Sequence, residues 1–272
     1  MLGLPLFAAE AEEKLSVSKD IPYIEEHHPQ QTLDIYWSQG DAPMPVVIYV
    51  HGGGWAFGDK AEVHAKPGFF MAHNMALVSV NYRLRWDYNI YDQLEDIASA
   101  IHWVRKNSSS YNIDKSKIVL MGHAAGAHLA SLLATDQRVL KVHSVPVTAI
   151  RLVAAIDTAS YDIDRLMSIG NFIEQRQHRL IFGDEEKVWR QASPITHVQA
   201  NKSIPSFALL YVADSELSSS QAVRFSRQLS KYDVQTILIP GNQKDARSID
   251  VELGTPGDIP TLALMAFIRA TL

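Results

Sequence analysis

The chain has 272 residues, 47% of them hydrophobic and 20% charged. That excludes a disordered or fibrous protein and is ample for a large core. A net charge of −5 offers no basic face to nucleic acid or an anionic membrane, and the absence of cysteine excludes disulfides, thiol catalysis and thiolate-bound zinc.

The first residues read MLGLPLFAAEA. The apolar run 2–9 is far short of the roughly 20 residues of a membrane span. The small-x-small triplet Ala9-Glu10-Ala11 fits a signal-peptidase site, but no basic segment precedes it. Residues 1–18 are therefore expected to be an N-terminal arm or the stump of a trimmed signal peptide. The compartment stays open between cytoplasm and export. No repeat, linker or low-complexity tract divides the remainder, so residues 19–272 are expected to form one domain.

Two early stretches alternate as half-buried strands, at 21–25 and 32–37. A continuous β-branched run follows at 45–51, as expected of a strand buried on both faces; 76–82, 117–121, 150–156 and 206–212 are further buried runs, and 234–240 is a sixth strand. Helical periodicity occupies 91–106, 124–134, 218–232 and 259–272. Residues 162–204 are mixed, with helix-like stretches at 163–176 and 185–191, and suit a cap-like insertion. Buried strands alternating with helices predict an α/β protein with a doubly wound, mostly parallel sheet. Chemistry in such sheets sits at the carboxyl ends of the strands. That directs attention to residues 52–55, 122–126 and Asp214.

The strand at 45–51 ends in His51-Gly52-Gly53-Gly54-Trp55. Neither GxxxxGK[ST] nor GxGxxG is present, so phosphate cradling is disfavoured. The N–H groups of Gly53 and Gly54 suit a negative tetrahedral oxygen instead, with His51 orienting the loop and Trp55 available to wall an acyl pocket. The second motif is Gly122-His123-Ala124-Ala125-Gly126 between a buried strand and a small-residue helix. This is the architecture of the nucleophile elbow G-x-S-x-G, in which flanking glycines permit a strained central residue and close helix packing. The central residue is Ala124, which has no hydroxyl to attack with. Its flanking glycines frame a missing serine. His123 and His128 are five residues apart, which is not the HExxH spacing of a zinc site. Asp157 and Asp162 either line the pocket or cap turns.

HGGGW at 51–55, Asn81-Tyr82-Arg83-Leu84, the helix carrying Asp96 and Trp103, and GHAAGAHLA at 122–130 together resemble the α/β-hydrolase superfamily. Within it they are similar to carboxylesterases related to hormone-sensitive lipase, to feruloyl-esterase-like enzymes and to kynurenine formamidases. The resemblance spans about residues 30–272. It implies that Leu209-Leu210-Tyr211-Val212-Ala213-Asp214 delivers the acid of a triad, Asp214. It also implies that the loop from Lys244 to Ile249 carries the base, where this chain has Ala246. It completes the oxyanion hole with the Ala125 N–H and places Trp55 and His123 in the substrate pocket. The triad of this fold runs Ser…Asp…His along the chain, and no histidine follows Asp214.

Both nucleophile and base positions are thus alanine, while their neighbours are intact. That pattern reads as removal of two side chains from a serine carboxylesterase acting on small acyl or aryl esters, leaving it inactive. A natural non-catalytic ligand binder and an arylformamidase-like amide hydrolase are the alternatives. The expected partner is a small-molecule ester or amide; no cofactor, metal, nucleic acid or membrane span is called for.

Overall fold

The computed structural model describes residues 15–169 and 171–272, apart from the side chains of residues 174 and 177. Of the arm or signal-peptide stump expected over residues 1–18, residues 1–14 lie outside this range, and 16–18 belong to the first strand. The elements run β1 (Ser16–Pro22), β2 (Thr32–Trp37), β3 (Met44–Val50), α1 (Lys66–Ala72), β4 (Ala76–Val80), α2 (Ile90–Lys106), β5 (Ile113–His123), α3 (Ala125–Asp136), α4 (Arg138–Val142) and β6 (Ile150–Ile156). Then come α5 (Ile163–Ile169), α6 (Phe172–Phe182), α7 (Glu186–Ala192), β7 (Ser206–Val212), α8 (Glu216–Ser230), β8 (Thr236–Gly241), α9 (Ser248–Val251) and α10 (Ile259–Thr271).

The strands form one sheet in the order β1-β2-β4-β3-β5-β6-β7-β8. Pairing is parallel from β4 through β8 and antiparallel where β1 meets β2 and β2 meets β4. The mostly parallel, doubly wound α/β sheet expected from the sequence is present, with the fold of the α/β hydrolases. Alternation along β3 shows why the apolar runs are continuous. Val46, Ile48 and Val50 join the core on the α2, α3 and α8 side, while Val47 and Tyr49 join the core on the α1 and α10 side. Each such buried aliphatic side chain contributes about 1.5–3 kcal/mol of transfer free energy, which favours apolar residues at nearly every position of a two-sided strand.

Helix starts follow local chemistry. Asn89 and Asp92 form a reciprocal capping box on α2, Ser215 caps α8, and Asp258 caps α10 with Pro260 in its first turn. In contrast α3 starts at Ala124 with no side-chain cap. Its first N–H groups are therefore left for another acceptor.

Several boundaries differ from expectation. The first strand is Ser16–Pro22, not 21–25. It is an edge strand whose register shifts between Ser18 and Ile21, and that irregularity breaks the alternation by which a strand is recognised. Helices α1 and α4 are too short to show a period, and the helical stretch expected at 163–176 is two helices.

Candidate active site

The carboxyl ends of β3, β5, β7 and β8 bring the two glycine motifs and the two C-terminal loops together. At β5, Ala124 adopts φ 47° and ψ −111°, a backbone conformation that L residues avoid. Two glycines make the turn possible. A Cβ on Gly122 would lie 2.3 Å from the Gly126 carbonyl oxygen, and one on Gly126 would lie 2.1 Å from the Val50 carbonyl oxygen. Glycine at 126 lets α3 press against the end of β3, which carries the glycine triplet. The elbow is further held by the Ala124 N–H donating to the Ile156 carbonyl at 2.8 Å.

The triplet loop lies against this elbow. A Cβ on Gly52 would fall 3.4 Å from the Ala124 methyl. Gly53 and Gly54 have φ of 105° and 60°, and Trp55 continues at 62°. The loop is closed by the N–H groups of Ala56 and Phe57 donating to the Gly53 carbonyl at 3.2 and 3.0 Å. Among the described residues, nothing accepts from the N–H of Gly53, Gly54 or Ala125. The Ala125 N–H opens a 12-residue helix, an end that favours negative charge.

His51 orients this loop as expected. Its Nδ1 lies 2.8 Å from the Gly52 carbonyl oxygen and therefore carries the hydrogen. Its ring stacks on Tyr82 at 4.5 Å, while the Tyr82 hydroxyl donates to the His51 carbonyl at 3.0 Å. Burial lowers the His51 pKa from its ordinary value and keeps the imidazole neutral.

Trp55 is packed rather than open, at 7% exposure. Its indole meets the rings of His128, His178 and Phe182 at centroid distances of 5.4, 5.9 and 5.2 Å. Its Nε1–H donates to His128 Nδ1 at 3.2 Å, and the opposite nitrogen, Nε2, donates to the Ala192 carbonyl at 2.8 Å. His128 therefore ties the triplet loop to the C-terminal end of α7. Complete burial pushes its pKa down to about 4. Sequence reasoning weighed His128 only as a metal ligand and missed this tie; its place four residues after the elbow, on the helix face toward the loop, was the available signal.

Asp214 follows β7 and is exposed. Its neighbours fix it. The Ala213 N–H donates to the Gly241 carbonyl at 3.3 Å, which joins this turn to the end of β8, and Ser215 caps α8. Asp157 supports the same turn. Its Oδ1 accepts from the Val212 N–H at 3.3 Å and from the Ser218 hydroxyl at 2.5 Å. Asp162 accepts from the Arg165 N–H at the start of α5 and from Arg224 Nε. Of the two roles considered for these aspartates, the turn-holding one describes both.

Ala246 lies in the loop after β8. Its carbonyl is 2.7 Å from His123 Nε2, so the loop is bound to the residue next to Ala124. The His123 ring, expected in the substrate pocket, is turned to this loop. Trp86 is 70% exposed, with its indole N–H on the Ala56 carbonyl.

Residues 33–229 match the BD-FAE family model. Among curated relatives, esterase LipQ of Mycobacterium tuberculosis is 29% identical over 252 residues, covering 87% of this chain and 58% of that protein. Esterase LipC of the same organism is 29% identical over 233 residues, covering 78% of this chain and 56% of its own length. The chain thus spans less than two thirds of these relatives. Among solved structures, inhibited esterase B from Lactobacillus rhamnosis superposes with a TM-score of 0.79 at 21% identity, covering 97% of this chain and 92% of that one. A truncated carbohydrate esterase from gut microbiota gives 0.80 at 20% identity, covering 95% and 96%. These two structures share the fold. The family match extends over most of a chain whose sheet, elbow and glycine loop are those of an α/β hydrolase, and it shows that the protein belongs to the BD-FAE family of that superfamily.

Proposed function

We propose that the chain is a carboxylic-ester hydrolase scaffold for small acyl or aryl esters, inactive as it stands because alanine occupies the nucleophile position, 124, and the base position, 246. The observation that carries this is the backbone of Ala124. A strained turn costs about 1–3 kcal/mol and gives a methyl group nothing in return. For a nucleophile it would raise the reacting oxygen beside three free N–H donors.

In the active form a serine at 124 attacks the ester carbonyl. A histidine at 246 takes the hydroxyl proton and returns it to the leaving alcohol. Asp214 holds the imidazole tautomer and stabilises the imidazolium. Gly53, Gly54 and Ala125 donate to the oxyanion, and water then hydrolyses the acyl-enzyme. The segment 162–204 covers Trp55 as a cap. The esterase names of the curated relatives support this reading.

The test is the double substitution Ala124→Ser/Ala246→His, assayed on p-nitrophenyl acetate. Loss of a serine or histidine from such a triad costs about six orders of magnitude in kcat, so the unsubstituted chain should give no turnover above background and the double variant should hydrolyse the ester readily. A parallel assay on an aryl formamide decides between ester and amide preference. Should the double variant fold, bind an acyl ligand and stay silent on both substrates, the chain is a binder and the proposal is wrong.

A further inference from the structure

Next to the elbow lies a buried ion pair that the acyl chemistry does not use. The Lys66 side chain, in α1, is fully buried, and its Nζ is 2.9 Å from Asp250 Oδ1 and 2.8 Å from the Asp250 carbonyl oxygen. The ammonium also sits 4.8 Å from the centre of the Tyr49 ring, and the Tyr49 hydroxyl donates to Asp250 Oδ1 at 2.9 Å. Strand β3 and helix α1 thus grip one carboxylate from two sides. A buried carboxylate held in this way has little freedom to move.

Asp250 belongs to α9, four residues beyond Ala246, and the Ile249 N–H donates back to the Asp245 carbonyl at 3.1 Å. Fixing Asp250 therefore fixes one end of the loop that carries position 246. His123 fixes the middle. Its Nε2 is 2.7 Å from the Ala246 carbonyl oxygen, and a carbonyl only accepts, so Nε2 carries the hydrogen. Its Nδ1 is 3.9 Å from Asp250 Oδ2. The ring fills the space in front of Gly52, where a Cβ would come within 2.8 Å of Nδ1. His123 ends β5 and immediately precedes residue 124, so whatever it holds is held relative to the nucleophile position.

We propose that His123 is a positioning residue: while the Lys66–Asp250–Tyr49 cluster anchors the far end of the loop, His123 holds the main chain of residue 246 against the elbow, so that a base at 246 reaches residue 124. The inference rests on the esterase reading above.

The experiment uses His123→Ala and His123→Gln, each in the chain as it stands and in Ala124→Ser/Ala246→His. The glutamine amide can still donate to the 246 carbonyl. On p-nitrophenyl acetate, His123→Ala should lower the kcat of the reverted enzyme about 10- to 100-fold with KM within about two-fold, and His123→Gln should recover most of that loss. In the chain as it stands, amide exchange over residues 242–249 should speed up in His123→Ala and not in His123→Gln. Unchanged kcat and unchanged exchange in His123→Ala overturn the inference. A glutamine variant as impaired as the alanine one at equal Tm overturns it too, as does a rise in KM at constant kcat, which would make His123 a substrate contact. If the reverted parent is itself inactive, the esterase reading falls, and the exchange measurement still decides whether His123 holds the loop.

Discussion

Ala124→Gly should stabilise this protein, although glycine inside a helix ordinarily does the opposite. Ala124 stands at φ 47° and ψ −111°, where a Cβ is disfavoured and glycine is not. Holding a non-glycine residue there costs about 1–3 kcal/mol. Against that relief, glycine adds about 0.4–1 kcal/mol of unfolded-state entropy. The half-buried methyl contributes less than about 0.8 kcal/mol of burial. The net expectation is a gain of about 1 kcal/mol, or about 3 °C in Tm for a chain of this size. Calorimetry and urea denaturation of Ala124→Gly beside Ala127→Gly would measure it. Residue 127 sits in the same helix at ordinary helical geometry and full burial, so its substitution should cost about 1 kcal/mol or more. Equal destabilisation by both substitutions would mean that the elbow is relaxed in solution. The argument that an alanine here marks a displaced nucleophile would then fail.

Gly126→Ala should be among the most damaging single changes, costing about 3 kcal/mol, because its Cβ would meet main-chain oxygens of Val50 and His51 at 2.1 and 2.5 Å. Gly68→Ala, with nothing within 4 Å, is the control and should be neutral or stabilising; equal Tm shifts in the two would refute the close approach of α3 to β3. Stability should also fall with acidity through His128. Its folded-state pKa of about 4 lies below the unfolded value of about 6.5, so between these the unfolded chain takes up the proton, and from pH 7 to 5 this site alone removes about 2 kcal/mol. Urea titrations should show that share of the pH slope missing in His128→Gln; an unchanged slope means that His128 does not carry it. Finally, Ala124→Ser alone should gain ester hydrolysis that rises and saturates with added imidazole, which supplies the missing base. A purely linear rise, equal to that in the unsubstituted chain, would show that no binding place for the ring exists beside residue 124.

Much of this was written in local sequence. The continuous apolar runs at β3, β4, β5, β6 and β7 needed only composition to be read as two-sided strands, because a strand covered on both faces shows no regular polar alternation. The elbow and the triplet were equally plain, since glycine is required where backbone meets backbone, and the glycines of 122–126 stand where α3 touches β3. Ala124 stood out by its place in the elbow motif, and Ala246 by the resemblance of the loop from Lys244 to Ile249, beside the absence of any histidine after Asp214. What the linear pattern could not carry was every relation between distant segments. Nothing local to Lys66 says that it will be buried on an aspartate 184 positions away, or that Trp55, His128 and the carbonyl of Ala192 will form one chain of hydrogen bonds. An apolar period reports how much of one element faces a core, and it is set by neighbours in sequence. A buried polar contact depends on which elements the sheet order places side by side, and only the folded chain decides that.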